Sequence, residues 1–485
     1  MAEELTPALT ILFQQSYDTN STPSDWNHAL VTAIFKKGSK TDPSNYRPIS
    51  LTCICCKIME HIVLSHIAKH LAKNNILIND QHGFRNKLST ITQLINTTND
   101  WANTLNNKGQ TDVILLDFSK AFDKVSHKHL QLKLNYYGIR NNTLGWIDAF
   151  LSNRTQVTCV NGTHSSRIHV TSGVPQGSVL GPVLFLLYIN DINQEIKSHI
   201  KLFADDSVVY RQINNHSDHL TLQKDLDTLT SWAKTWLMDF NIKKCVILPI
   251  TLKRKPSHFD YYILGQKLER VNKHDYLGIT ISNDLKWTNH IAKISGKASR
   301  TLGLLKRTLS PCSQHVKDTA YKMLVRPQLE YASEVWNPHT LKSTKKIDQI
   351  QRNACRFVFH DYRRQTDVIP LLQKLHWDSL YTRRLIQQAT MLYKIHYHLV
   401  DIYTPHYIKP AFHISNRIDH PLKYCNTNTV VLNTFKYSFF PRSISIWNRL
   451  PPSAVLHVTP SVIAFQTVAI PAIRCMQPLF GAALI

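Results

Sequence analysis

The run Lys201-Leu202-Phe203-Ala204-Asp205-Asp206-Ser207-Val208-Val209-Tyr210 constrains this chain more than any other. Two adjacent carboxylates stand between apolar residues that suit the arms of a β-hairpin, so the acids are expected at the turn joining two buried strands. Burying ionised carboxylates is costly unless something cationic compensates them. A pair of divalent metal ions is the obvious candidate, and it calls for a third acid elsewhere. Taken alone, Asp-Asp is also a common solvated turn, so the rest of the chain decides.

That third acid is Asp117, which closes the short apolar run Asp112-Val113-Ile114-Leu115-Leu116, a pattern expected of a buried strand. If the two strands are neighbours in one sheet, Asp117, Asp205 and Asp206 converge. Three carboxylates suit two Mg²⁺ ions, hard cations that take oxygen ligands and keep positions open for phosphate oxygens. Such a pair, about 4 Å apart, supports in-line displacement at phosphorus, which makes nucleotidyl transfer the expected reaction class.

Charge points to the same partners. The 485 residues carry 57 Lys+Arg against 33 Asp+Glu, a formal net charge of +24, whose natural complement is a polyanion, nucleic acid ahead of an acidic membrane surface. Affinity for it should fall steeply with salt as counterions are released. There is no run of 18 or more apolar residues and no charged N-terminal stretch leading into an apolar core. Neither secretion nor membrane insertion is expected, and nine mostly scattered cysteines indicate reduced, intracellular thiols.

In chain order, residues 1–28 read as a helix and a polar linker. A strand over Ala29–Phe35 ends in Lys36-Lys37-Gly38, and in Asn45–Leu51 Pro48 holds its neighbour Arg47 extended. Ile54, Ile58, Ile62, Ile67 and Leu71 predict one face of an amphipathic helix. Cys53, Cys55, Cys56, His61, His66 and His70 lie along it, but no CxxC pair is present and the helical pattern explains the region without zinc. Gln81–Arg85 precedes a helix from about Ser89 to Leu105, with Ser89 or Thr90 as its N-cap. Helices follow from about His127 and Thr143, then a hairpin, 154–160 with 167–170, turning at Asn161-Gly162. Gly173–Pro182 opens an apolar helix through Tyr188. Beyond the Asp-Asp hairpin come a helix through Leu222, Leu226, Leu229, Ala233 and Trp236, the segment Phe240–Cys245 entering a strand Val246–Ile250, and Tyr276–Ile279. From about residue 286 a helix buries Ile291, Ile294, Ala298, Leu302 and Leu305 and presents Lys293, Lys297 and Arg300 on the opposite side, as a phosphate-backbone cradle requires. A further helix runs around Ile347–Phe357. The chain stays helical to about His398 and is irregular beyond, with no evident chemistry and no internal repeat.

Taken in order, Ile34–Gly38, Asn45–Leu51, Gln81–Arg85, Leu115–Asp123, Gly173–Pro182, Phe203–Asp206, Phe240–Cys245 and Tyr276–Ile279 closely resemble the motifs of the reverse transcriptase of non-LTR (LINE-like) retrotransposons of the jockey and CR1 type. The tail from Ser438 to Pro451 also looks like the end of such reading frames, so the resemblance spans nearly the whole chain. It implies an α+β right-hand polymerase: fingers over 29–110, a palm over 111–285 with an antiparallel sheet backed by helices, a helical thumb over 286–370, and a mostly helical C-terminal region over 371–485.

The resemblance also implies roles. Asp117, Asp205 and Asp206, with the carbonyl of Phe118, would hold two Mg²⁺ ions, for which Mn²⁺ can substitute. Phe122 would be the steric gate that favours deoxynucleotides, and Lys36 or Lys37 with Arg47 would reach the triphosphate, Arg85 contacting it or the template. Gln176 and Gly177 would pack on the nascent base pair, and Lys244 would protonate the leaving pyrophosphate. Leu277 and Gly278 would belong to a primer grip, while Lys293, Lys297 and Arg300 track the template–primer backbone. The implied partners are an RNA template, a DNA primer or target DNA, and dNTPs, in a ribonucleoprotein of the cytoplasm and nucleus. Intact elements of this type carry an endonuclease domain ahead of the polymerase, and nothing resembling it fits in residues 1–28, so a shortened reading frame is expected. Two rivals share features: a nucleic-acid-binding remnant without catalysis, against which the intact acids, Phe122, Gln176 and Lys244 stand, and an intron maturase, against which the tail stands.

Overall fold

Five strands form the central sheet, in the spatial order Glu269–Arg270, Val246–Thr251, Gln110–Leu116, Asp206–Gln212, His199–Phe203. The structure, a computed structural model, describes residues 2–36, 38–363, 365–402, 404, 407–411, 422–457 and 459–476. Gln110–Leu116 is the middle strand, antiparallel to both neighbours and buried at every position. Period-two alternation divides it between two cores. Val113 and Leu115 face a core built with the helices Thr90–Asn106, Thr288–Thr308, Leu341–Phe359 and Leu380–His396, whereas Ile114 and Leu116 face one built with Ile54–Lys73, His127–Tyr136, Gly181–Tyr188 and His216–Thr235. A strand covered on both sides explains why this stretch reads as a continuous apolar run. Burial of each such side chain contributes about 1.5–3 kcal/mol.

A second sheet holds the strand His28–Phe35, antiparallel to Tyr46–Leu51 and parallel to Thr155–Val160. The 154–170 hairpin, with Thr163–His164 and Ile168–His169 folding back on Thr155–Val160, therefore joins the N-terminal strands and not the central sheet. Parallel neighbours require a long crossover, and here that crossover includes the middle strand of the other sheet.

Two expectations are corrected. In the helix Ile54–Lys73 the buried side is Cys56, Met59, Glu60, Val63, Ile67 and Leu71, while Ile54, Ile58 and Ile62 are exposed. The inward side is fixed by Glu60, whose Oε2 accepts the main-chain N–H of Val179 (2.7 Å) and Leu180 (2.9 Å) at the start of the apolar helix Gly181–Tyr188. The chain beyond His398 is also more regular than expected: Phe439–Trp447 and Val462–Cys475 are helices packed on Leu380–His396, anchored by the buried rings of Phe439, Phe440, Trp447 and Phe465. The helix over Thr90–Asn106 begins as expected, with Ser89 and Thr92 forming a reciprocal capping box. Among the described residues no helix is long and apolar enough to cross a membrane. All nine cysteines are unpaired.

Candidate active site

Strand register brings Asp117 beside Asp206, with Asp205 in the adjoining turn. Phe203 pairs with Asp206 across a two-residue turn, Ala204-Asp205, and Leu116 faces Ser207 in the adjoining pair. One step further along, Asp117 meets Asp206 at the end of the sheet. The far side of Asp117 is fixed by the segment entering the strand Val246–Thr251: its carbonyl accepts the N–H of Asn241 at 2.7 Å, and Phe118 stacks on Phe240 with ring centroids 4.7 Å apart. The same segment carries Lys244, whose Nζ lies 2.9 Å from Oδ2 of Asp117. Asp117, Asp206, Lys243, Lys244 and Lys273–Gly278 line one open cleft of about 750 Å³.

Residues 34–281 match the family model described as reverse transcriptase (RNA-dependent DNA polymerase). The chain belongs to the reverse transcriptase family. It is 28% identical over 367 residues to a probable RNA-directed DNA polymerase from transposon X-element of Drosophila melanogaster, covering 72% of this chain and 39% of that protein. It is 28% identical over 361 residues to the RNA-directed DNA polymerase from mobile element jockey of the same species, with the same coverage, 72% and 39%. The chain thus spans about two fifths of the length of these relatives. Among solved structures it aligns with apo telomerase from Candida tropicalis at a TM-score of 0.45 and 13% identity, covering 79% of this chain and 66% of that one.

Burial and the repulsion between carboxylates both act on these acids. Burial raises the carboxyl of Asp205 above its ordinary value and Asp117 adds to the rise, with Arg47 and Lys36 pulling it back. Asp206 opens to the cleft at its tip, yet the protein mass behind it, then the charges of Asp205 and Asp117, push its carboxyl up to about 6 against the pull of Lys244 and Arg47. Among the described residues no three His, Cys, Asp or Glu side chains stand close enough to form a ready-made cage. This applies to the histidines and cysteines of 53–70 as well. The donor set nevertheless fits the divalent ions that reverse transcriptases generally use: hard carboxylate oxygens whose mutual repulsion a dication relieves.

The other expected residues divide into groups. Arg47, on the strand Tyr46–Leu51, and Lys36, just after the strand it pairs with, are exposed and close enough to act on the acids. Lys37 lies outside the described residues. Phe122, half-buried, stacks on Phe185 at 4.5 Å, and Gln176 donates from Nε2 to Oδ1 of Asp123 at 2.8 Å. Gly177 adopts φ +115, and a Cβ there would lie 2.7 Å from the carbonyl oxygen of Ser50, so the space it leaves belongs to the Tyr46–Leu51 strand. Arg85 turns inward, donating to the carbonyls of Ile78 (2.6 Å) and Gln81 (3.4 Å). Leu277 and Gly278 form a hairpin turn on the cleft wall, where Tyr331 donates to the Leu277 carbonyl at 3.0 Å. Lys293 pairs with Asp275 of the same hairpin, and Lys297 and Arg300 continue outward from it, exposed along one helix face.

Sequence reasoning overlooked Asp123 as the partner of Gln176, Asp275 as the partner of Lys293, and Tyr331 over the 277–278 turn. Each contact spans chain segments that only the fold brings together, so no local pattern announces them.

Proposed function

We propose that this chain is the RNA-directed DNA polymerase portion of a non-LTR retrotransposon, extending a primer 3′-hydroxyl with dNTPs on an RNA template. The observation that carries this reading is the meeting of Asp117, Asp205 and Asp206 at one end of the central sheet, with Lys244 and Arg47 acting on them, beside the cleft that reaches Leu277 and Gly278. The family match and the names of the X-element and jockey relatives support it. On this reading the chain is a right hand, with fingers over 29–110, a palm over 111–285, a thumb over 286–370 and an appended C-terminal region.

Asp117, Asp205, Asp206 and the Phe118 carbonyl would hold two Mg²⁺ ions, or Mn²⁺ in their place. When bound, the ions activate the attacking hydroxyl and stabilise the leaving oxygen. Leu277 and Gly278 seat the primer end in the cleft that Asp117 also lines. Arg47, Lys36 and Lys37 bind the triphosphate, Arg in a charge-assisted and bidentate manner. Phe122 lies where a 2′-hydroxyl would project, and its stacking on Phe185 keeps the ring from yielding. Gln176, fixed by Asp123, and Gly177 support the nascent base pair. Lys244 leaves Asp117 to protonate the departing pyrophosphate, and Lys293, Lys297 and Arg300 follow the template–primer backbone. Arg85 holds the loop beside the acid turn and contacts template through it.

Primer extension on an annealed RNA template with dNTPs and Mg²⁺ tests this. Wild-type protein is expected to extend, and Asp205→Ala with Asp206→Ala is expected to abolish extension while template binding persists. Folded wild-type protein that extends none of several primer–templates refutes the reading.

A further inference from the structure

The turn that presents Asp205 and Asp206 is not self-supporting. Ala204, its first residue, sits at φ +53, a left-handed conformation that costs a residue with a Cβ about 1–2 kcal/mol. Neither glycine nor asparagine is there to ease it, so a neighbour must hold the turn.

That neighbour is the segment Asp80–Gly83, which runs alongside the strand His199–Phe203. Leu202 donates its N–H to the Asp80 carbonyl at 2.9 Å and accepts the His82 N–H at 2.8 Å, giving a parallel bridge between Gln81 and Leu202. At its centre the Gln81 side chain, 2% exposed, accepts two main-chain protons on one oxygen: from Ala204 N–H at 3.0 Å and from Gly83 N–H at 2.7 Å. Its Nε2 lies 3.5 Å from the Ala204 carbonyl oxygen. Gly83 presses against the same turn so closely that a Cβ on it would stand 2.3 Å from the Ala204 nitrogen. Arg85 and the ion pair between Lys201 and Asp80 (2.8 Å) fasten the segment from either side.

We propose that Gln81 is a positioning residue for phosphoryl transfer: its buried amide fixes the left-handed turn at Ala204 and so sets where the Asp205 and Asp206 carboxylates point. This rests on the polymerase reading above. Gln81 touches neither substrate nor the reacting atoms, and its effect passes through the Ala204 main chain.

The test compares full-length wild type with Gln81→Leu, which removes both acceptor bonds, and Gln81→Glu, which keeps an acceptor oxygen in the same place. Primer extension, template–primer affinity, melting temperature and substrate-free Mn²⁺ binding by electron paramagnetic resonance are read for each. Gln81→Leu is expected to lower kcat about 10- to 100-fold, the scale of a misplacement near 1 Å. It should weaken Mn²⁺ binding and leave the KM for dNTP and the template–primer Kd within about twofold. Gln81→Glu should recover most of both losses. The proposal is overturned if Gln81→Leu leaves kcat and Mn²⁺ binding unchanged, or if kcat, template–primer affinity and melting temperature fall together without recovery in Gln81→Glu. Should Gln81→Leu not fold, a folded Gln81→Glu that neither extends nor binds Mn²⁺ overturns it equally. Wild-type protein that does not extend refutes the polymerase reading itself, whereas wild-type extension with an indifferent Gln81 refutes only this inference.

Discussion

Lys244 holds its ammonium group 2.9 Å from Oδ2 of Asp117, so the proposed proton donor rests on one of the proposed metal ligands. The pair stands at the cleft, with 57% of the Lys244 side chain exposed, and little stability depends on it. Lys244→Met is therefore expected to leave the melting temperature unchanged while lowering single-turnover extension by about 10²–10⁴-fold. Template–primer Kd, measured alongside, should not move. An undiminished rate would remove Lys244 from the proton-transfer role.

A backbone contact joins the strand Tyr46–Leu51 to the loop before the helix Gly181–Tyr188 at Gly177. Ser50 donates its N–H to the Gln176 carbonyl at 2.7 Å, and the Ser50 carbonyl fills the space a Gly177 Cβ would take. Gly177→Ala adds that clash to the strain of φ +115, a cost of about 1–3 kcal/mol. Displacing the strand also shifts Arg47, so the KM for dNTP should rise as the urea midpoint falls. A variant that loses stability with an unchanged KM would separate Gly177 from triphosphate binding.

These two sites show what the sequence could and could not reveal. The strands of the central sheet were legible because burial on both sides leaves an unbroken apolar run ending in an acid, as in Val113–Asp117, and two-residue turns leave their own mark. The helix Ile54–Lys73 misleads for a physical reason: its most apolar residues recur at Ile54, Ile58 and Ile62, but its orientation is dictated by the buried carboxylate of Glu60 reaching two main-chain N–H groups over a hundred residues away. Periodicity weighs hydrophobicity and cannot weigh a distant donor. The parallel pairing of His28–Phe35 with Thr155–Val160 is equally silent locally, as is the support Gln81 gives Ala204.

Phe122 packs its ring on Phe185, which restrains it as the proposed gate role requires. Phe122→Val opens the space a ribose hydroxyl would need and is expected to raise incorporation of ribonucleotides relative to deoxynucleotides in primer extension. The lost stacking should lower stability by about 2 kcal/mol, since the ring is half-buried and the cavity partly open to solvent. Discrimination equal to that of wild type would assign Phe122 to packing alone.

Lys297 and Arg300 lie on one exposed face of the helix Thr288–Thr308, one and two turns beyond Lys293. If they contact phosphates, Lys297→Ala and Arg300→Ala should each weaken template–primer binding similarly on unrelated sequences. Each should also reduce the slope of log Kd against log salt by about 1. Fluorescence anisotropy across a salt series reads both quantities, and an unchanged slope would mean that this face is merely solvated.

Two buried histidines make stability depend on pH in a definite direction. Burial, with Lys201 and Arg85 adding to it, brings His82 down to about 3, and burial with Lys293 brings His290 down to about 4, both from an ordinary value of 6.5. His290 must stay neutral at Nδ1, which accepts the Thr280 N–H at 3.2 Å, just as His82 Nδ1 meets Thr92 Oγ1 at 3.0 Å. A group whose folded value is depressed binds its proton first in the unfolded chain. Its contribution is complete above about pH 6.5 and drains away as pH falls toward 4 and then 3. The raised carboxyls of Asp205, Asp206 and Glu60 act with the opposite sign, so the clean measurement is a difference. Urea midpoints of wild type and His290→Gln, taken from pH 7.5 down to about pH 4.5, should converge as the histidine's advantage is lost. Parallel curves would show that His290 does not titrate on unfolding in this range.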